Sequence, residues 1–159
     1  GERMDYAIQK AVECGVHEIT PLLSSRCVVK LDSARATKRQ AHWQAVAVSA
    51  AEQSGRCIVP TVHTPISLTA WLAMSHTGMK WIADTRSAKP LVSDDDAGSS
   101  SLMIGPEGGL TEDEVALAQD AGFYSFSLGP RILRTETATV VALTLLQSQF
   151  GDYRTLEYC

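Results

Sequence analysis

Leu102-Met103-Ile104-Gly105-Pro106-Glu107-Gly108-Gly109-Leu110 runs from a short apolar segment directly into a glycine-rich turn. The apolar start, residues 101–104, has the unbroken character of a buried strand. Thr111 and Glu114 follow with the spacing of a capping box, which predicts a helix up to Ala121 that Gly122 ends. Strand, glycine loop and capped helix in that order predict a crossover unit of a parallel α/β sheet. Three glycines let backbone approach a ligand closely. The loop is neither a G-x-G-x-x-G fingerprint nor a Walker loop, which points away from dinucleotides and triphosphates. A plain tight turn also accounts for the glycines, but it requires no carboxylate between Pro106 and Gly108.

Working toward the C-terminus, a second loop has the same setting: Ser127-Leu128-Gly129-Pro130-Arg131-Ile132-Leu133-Arg134-Thr135-Glu136-Thr137-Ala138. It leaves a predicted strand over 123–128 and enters a predicted helix over 135–150, with Thr135 as the candidate N-cap. Two arginines, two threonines and a glutamate crowd the junction. A solvated helix start accounts for any one of them singly.

Toward the N-terminus, Met4, Ala7, Ile8, Ala11 and Val12 recur at helical spacing, and Gly15 is a natural stop. Residues 16–23 read as a strand and 27–31 as a second extended run. A longer helix is predicted over 36–53, with Trp43, Val46, Ala47 and Ala50 on its apolar face and Gly55 ending it. Residues 57–62 read as a strand, Ser67 caps a short helix through Met74, and 81–83 form another short strand. Residues 89–101 (KPLVSDDDAGSSS) have the composition of a flexible surface loop, with Asp94 to Asp96 solvated. The alternation predicts an α/β fold, a mostly parallel sheet with helices on both faces. Ligands of such sheets sit at the carboxyl ends of the strands, where both glycine-rich loops lie.

The 159 residues suit one domain, large enough to bury about two-thirds of its unfolded surface without a disulfide or metal staple. With 14 basic and 18 acidic residues the formal charge is −4, which excludes a domain that grips nucleic acid by bulk charge alone and leaves room for a local basic patch. Cys14, Cys27, Cys57 and Cys159 show no C-x-x-C pair, so no metal is expected; free thiols in a reducing cytoplasm are the plain reading. No apolar run approaches membrane-spanning length, so no membrane partner is expected. His17, His42, His63 and His76 are scattered outside both loops and read as structural. The helical pattern opens at Glu2, which predicts a piece of a longer protein.

The pair GPEGGL and SLGPRILRTETA, in this order and at this separation, closely resembles the SPOUT RNA methyltransferases. More narrowly, it is similar to the ribosomal small subunit methyltransferase E family, which methylates N3 of a uracil in 16S ribosomal RNA. Ile8 to Val16 (IQKAVECGV), Ile19-Thr20-Pro21-Leu22, Ser25-Arg26, Ala51-Glu52-Gln53-Ser54-Gly55-Arg56 and Pro60 extend the likeness over most of the chain. The resemblance implies that residues 1–159 form a SPOUT methyltransferase domain with a C-terminal deep trefoil knot, an exception to the usual rule against threaded chains. It implies S-adenosyl-L-methionine as cofactor, small-subunit ribosomal RNA as partner, a homodimer, and an N-terminal RNA-binding barrel domain that this sequence lacks. The helix after Thr135, apolar at Val140, Val141, Leu143, Leu145 and Leu146 on more than one face, is compatible with burial against its own domain and a partner.

By the same resemblance the cofactor is held around Ile104, Gly105, Pro106, Glu107, Gly108, Ser127, Leu128, Gly129, Ile132, Leu133, Arg134, Thr135 and Ala138. Uracil N3 carries a proton that must leave, so the site needs a base and stabilisation of the resulting anion. Arg134 is the candidate for the anion, Glu136 or Glu107 for the proton, and Arg26, Arg56 and Arg131 for RNA phosphates. An ion pair between Arg134 and Glu136 that merely shapes the loop is the competing reading. Within the same class, a ribose 2′-O-methyltransferase is the nearest rival; its Ser-Leu-Asn motif is replaced here by Ser127-Leu128-Gly129. A non-catalytic RNA-binding module of the same fold is the rival from another class, and an ordinary nucleotide-binding α/β domain the third.

Overall fold

The computed structural model describes residues 2–26, 32–92 and 98–154. Helix α1 (Glu2–Glu13) is followed by two short strands, β1 (Glu18–Ile19) and β2 (Leu22–Leu23), and by the long helix α2 (Ser33–Ser54). Strands β3 (Thr61–Val62) and β4 (Ile66–Ser67) lead into α3 (Leu68–Leu72). The C-terminal half runs β5 (Met79–Ala83), β6 (Ser100–Ile104), α4 (Glu112–Asp120), β7 (Tyr124–Phe126) and α5 (Thr135–Phe150), then a 3-10 turn over Asp152–Arg154.

All strand pairs are parallel: β1 with β3, β2 with β4, and a three-stranded sheet in the order β6-β5-β7. Trp81 of β5 stands opposite Leu102 on one side and Tyr124 on the other. Alternate residues of a strand face opposite sides of its sheet. Ile82 and Met103 accordingly pack with Leu68, Val115, Ala118 and Phe123, which places α3 and α4 on one face. Trp81 and Phe126 pack with Leu91, Ala142 and Leu146, which places α5 on the other. A further core joins Ile8 and Val12 of α1 to Trp43, Ala47, Ala50 and Ala51 of α2 and to Val62. The expected α/β architecture with parallel sheets is thus present.

Local signals explain where the elements stop. Asp32 accepts from the Arg35 amide and caps α2, which therefore starts before residue 36, and Gly55 ends it at φ +70°. Thr111 and Glu114 form the predicted capping box. The predicted strand over 16–23 is instead broken into β1 and β2 around Thr20-Pro21, where proline offers no amide to a ladder. The predicted strand over 57–62 shrinks to β3, leaving Ile58 and Val59 exposed. The stretch 89–101 is not wholly a surface loop: Leu91 is a core residue under α5, its carbonyl accepting from Gln149, and Ser100 and Ser101 belong to β6. The expected extended run 27–31 and Asp94 to Asp96 lie outside the described residues.

Candidate active site

The carboxyl ends of three neighbouring parallel strands emerge on one side of the sheet and lead into loops at 84–90, 105–111 and 127–134. The first and third are stitched together. The Asp84 amide donates to Phe126 O at 3.0 Å and the Ser127 amide to Lys89 O at 2.7 Å. The Ser87 hydroxyl donates to Ser125 O at 3.1 Å. Between these two loops lies an open cleft of about 450 Å³, lined by Thr85, Ser87, Ala88, Pro90, Ser127, Gly129, Pro130, Arg131 and Ile132. That volume falls in the roughly 300–1,000 Å³ range of small-molecule sites. Gly129, at φ +101°, turns the chain at the floor of this loop, and its amide donates to the Ser127 hydroxyl.

The middle loop is braced from three directions. Thr135 at the head of α5 donates to Gly105 O at 3.2 Å. Arg26 donates to Gly108 O, and its side chain lies over Gly108 and Gly109. Arg3 of α1 pairs with Glu107 at 3.0 Å. Glu114, beneath the loop, accepts from the amides of Thr111 at 2.9 Å and Ser25 at 2.7 Å, and so ties the 24–26 turn to α4. Burial alone would push the Glu114 carboxyl up, but the amides of Ser25 and Thr111 outweigh it and hold the group below the ordinary carboxylate range. Glu107 is also held low, by its own backbone amide and then by the Arg3 guanidinium.

A second cleft, of about 370 Å³, opens where α1 meets the start of α5; Glu2, Arg3 and Tyr6 face Arg134, Glu136 and Thr137 across it. Residues 129–132 line the first cleft and Arg134, Glu136 and Thr137 line the second, so one segment serves both. Glu136 Oε2 is buried and finds no hydrogen-bond partner among the described residues. The Arg134–Glu136 ion pair considered from the sequence does not form.

The candidate residues therefore separate into groups. Ser127, Gly129 and Ile132 line the first cleft, joined there by Arg131, an arginine expected to approach phosphate. Arg134 and Glu136 line the second. Ile104 and Leu128 pack against the core between the sheet and α5, and Ala138 of α5 is buried. Leu133 is half-buried, and Pro106 O accepts from the Gly109 amide, closing the turn. Thr135 is not the N-cap; Arg134 occupies that position without a side-chain cap bond, which frees the Thr135 hydroxyl for Gly105. Arg56 lines neither cleft. Its Nη1 donates to Val12 O and Val16 O at 2.9 and 2.6 Å, closing the C-terminal end of α1. Thr85, Ser87, Ala88 and Pro90 were missed, although a parallel strand ending at Ala83 implies a third loop on the same side.

His42 bonds Asp5, His63 bonds Glu18, and His76 bonds Trp71 O, all away from the clefts' linings. Among the described residues no cluster of His, Cys, Asp and Glu could hold a metal ion, and no helix is long and apolar enough to cross a membrane. Cys14 is buried and Cys57 exposed, neither in a disulfide; Cys27 and Cys159 lie outside the described residues.

Residues 1–147 match the family model of the RNA methyltransferase domain. The chain is 40% identical over 159 residues to ribosomal RNA small subunit methyltransferase E of Bacillus subtilis, covering 94% of this chain and 62% of that protein. It is 36% identical over 153 residues to the protein of that name from Buchnera aphidicola subsp. Schizaphis graminum, covering 95% and 62%. The crystal structure of ribosomal RNA small subunit methyltransferase E from Neisseria gonorrhoeae, bound to S-adenosyl methionine, superposes with a TM-score of 0.88 at 44% identity, over 96% of this chain and 63% of that one. The chain thus spans somewhat less than two thirds of the length of these relatives. A matching domain model over nearly the whole chain, on a parallel fold with its clefts at the strand ends, makes this chain a member of the RNA methyltransferase domain family.

Proposed function

We propose that this chain transfers a methyl group from S-adenosyl-L-methionine to N3 of a uracil in small-subunit (16S) ribosomal RNA, working in the cytoplasm as a homodimer. The observation that carries the reading is the segment 129–137, which lines one cleft with its first half and a second with its last. An in-line displacement needs donor and acceptor held on either side of one short boundary. The likeness to a relative bound to S-adenosyl methionine supports that molecule as the methyl donor, and we assign it to the first cleft. Its lining fits: small side chains, Ser87 and Ser127 hydroxyls, and volume enough for a nucleoside with an amino-acid tail. We also infer that the threading of residues after about Ser101 makes the deep trefoil knot, and that the half-buried Val140, Val141, Leu143 and Leu145 of α5 meet a second subunit.

When bound, S-adenosylmethionine supplies an electrophilic methyl group on a sulfonium. Ser127, Gly129 and Ile132, with Thr85, Ser87 and Ala88, orient it, and the braces on Gly105 and Gly108 keep the middle loop in place beside it. In the second cleft the Glu136 carboxylate accepts the N3 proton. Glu107 is the poorer base, since it is already paired with Arg3 and held low. Arg134 stands across the anion that forms on the ring oxygens. Arg26 and Arg131 remain the arginines proposed to approach RNA phosphates, beside their places at Gly108 and in the first cleft.

The test is a calorimetric titration with S-adenosylhomocysteine, followed by radiolabelled methyl transfer to small-subunit ribosomal RNA. Ala88 is exposed at the first cleft, so Ala88→Trp fills the cleft without disturbing the core. Saturable binding lost in the variant, and label recovered as N3-methyluridine, support the proposal. Equal binding by both proteins, or label on ribose, overturns it.

A further inference from the structure

Tyr6 and Arg3 belong to neither glycine-rich loop and are not explained by the chemistry above. Both project from the first turns of α1 into the second cleft, opposite Arg134 and Glu136. Tyr6 keeps 47% of its surface exposed, unusual for a ring at the junction of two packed helices. Its i+4 neighbour Lys10 stands 5.5 Å from the ring centroid, and Lys10 is itself held by Glu13 at 2.8 Å, so the ring is propped rather than loose. Arg3 ties the same wall to the middle loop through Glu107. The cleft thus offers a flat ring together with the Arg134 guanidinium and the Glu136 carboxylate in its lining.

A base whose ring nitrogen is to be modified must leave its stack, and proteins hold such bases by stacking on an aromatic face while pairing the Watson–Crick edge. We propose that Tyr6 is the stacking wall of the target-base pocket, with Arg3 a positioning residue that fixes this wall against the 105–111 loop. A uracil lying on Tyr6 turns its imino edge toward Arg134 and Glu136, which line the same cleft. The inference rests on the methyl-transfer reading and adds the α1 wall to it.

Steady-state methylation of small-subunit ribosomal RNA tests it, with S-adenosylhomocysteine affinity and cofactor-free RNA affinity measured alongside. Tyr6→Ala raises the KM and Kd for RNA about tenfold, the range of one base–aromatic stack, and leaves cofactor affinity unchanged. Tyr6→Phe stays near wild type because stacking uses the ring. Tyr6→Leu, which retains apolar bulk, behaves like Tyr6→Ala and separates loss of the ring from loss of fold. Arg3→Gln gives a smaller rise in KM. Unchanged RNA KM and Kd in Tyr6→Ala and Tyr6→Leu overturn the proposal, as does a shift of oligomeric state that accounts for the whole effect. Failure of the wild-type chain to bind S-adenosylhomocysteine sinks the methyl-transfer reading instead.

Discussion

Thr135 Oγ1 donates to the carbonyl oxygen of Gly105 across 30 positions of chain, at 3.2 Å. The bond joins the end of β6 to the first residue of α5, so the middle loop cannot move without the helix that carries Glu136. A part-buried carbonyl left without its donor costs about 1 kcal/mol. Thr135→Val keeps the β-branched shape and removes the donor. We expect a loss of about that size in urea unfolding and a severalfold weaker S-adenosylhomocysteine affinity by calorimetry. Thr135→Ser restores the hydroxyl and returns affinity toward wild type.

Gly109 sits at φ +69° in the turn closed by its own amide and Pro106 O. An added Cβ meets only the Arg26 guanidinium at 3.8 Å, so the obstacle is conformation rather than space. A non-glycine residue in this left-handed region costs about 1 kcal/mol. Gly109→Ala should lower stability by that amount, and Gly109→Asn by less, since asparagine tolerates the conformation. Gly108 has no such backbone demand, but its Cβ position lies 3.5 Å from the Arg26 side chain. Gly108→Arg therefore sets two guanidinium side chains against each other, and cofactor affinity falls with little change in thermal midpoint.

Glu114 carries two backbone amides at once, Thr111 within its own helix cap and Ser25 from the N-terminal half. Glu114→Ala strands both and costs about 2 kcal/mol. Its folded carboxyl lies below the ordinary value, so the carboxylate contributes stability above the unfolded carboxylate pKa, and that contribution is lost as pH falls through the folded value. Urea unfolding of wild type and Glu114→Ala at neutral pH and near pH 3 checks the sign. The gap between the two proteins narrows on the acid side; a gap that widens there contradicts the assignment.

Much of the fold was legible because local chemistry and tertiary packing agree. Thr111 and Glu114 cap α4 as their spacing demands, and Gly55 ends α2 in the conformation glycine permits. Strands were overcalled where an apolar run serves packing without a ladder: Ile58 and Val59 look like strand residues, yet stand exposed before β3. Leu91 was hidden in a polar context, and its burial comes from α5, over fifty positions later. The two glycine-rich loops were readable for the same reason as the caps, since their residues act locally. The loop at 84–90 was not, because Thr85 and Ala88 gain meaning from parallel pairing of β5 with its neighbours. Arg3 and Tyr6 lie well over a hundred positions from the residues they face, and no spacing in the sequence signals that meeting.

We propose that Arg56 serves the fold rather than RNA, and its contacts set it apart from Arg26. Its Nη1 bonds to Val12 O and Val16 O tie the end of α1 to the chain that follows it, and Val12 O also accepts from the Gly15 amide. Removing the side chain strands the Val16 carbonyl, worth about 1 kcal/mol, or roughly 2–4 °C in thermal midpoint for a domain of this size. Each phosphate contact adds about 0.7–0.9 to the slope of log affinity against log salt. Arg56→Ala should therefore lower the midpoint while leaving the salt slope for ribosomal RNA unchanged, whereas Arg26→Ala lowers the slope by about one contact. A slope that falls for Arg56→Ala at constant thermal midpoint would return this arginine to the RNA surface and remove it from the closure of α1.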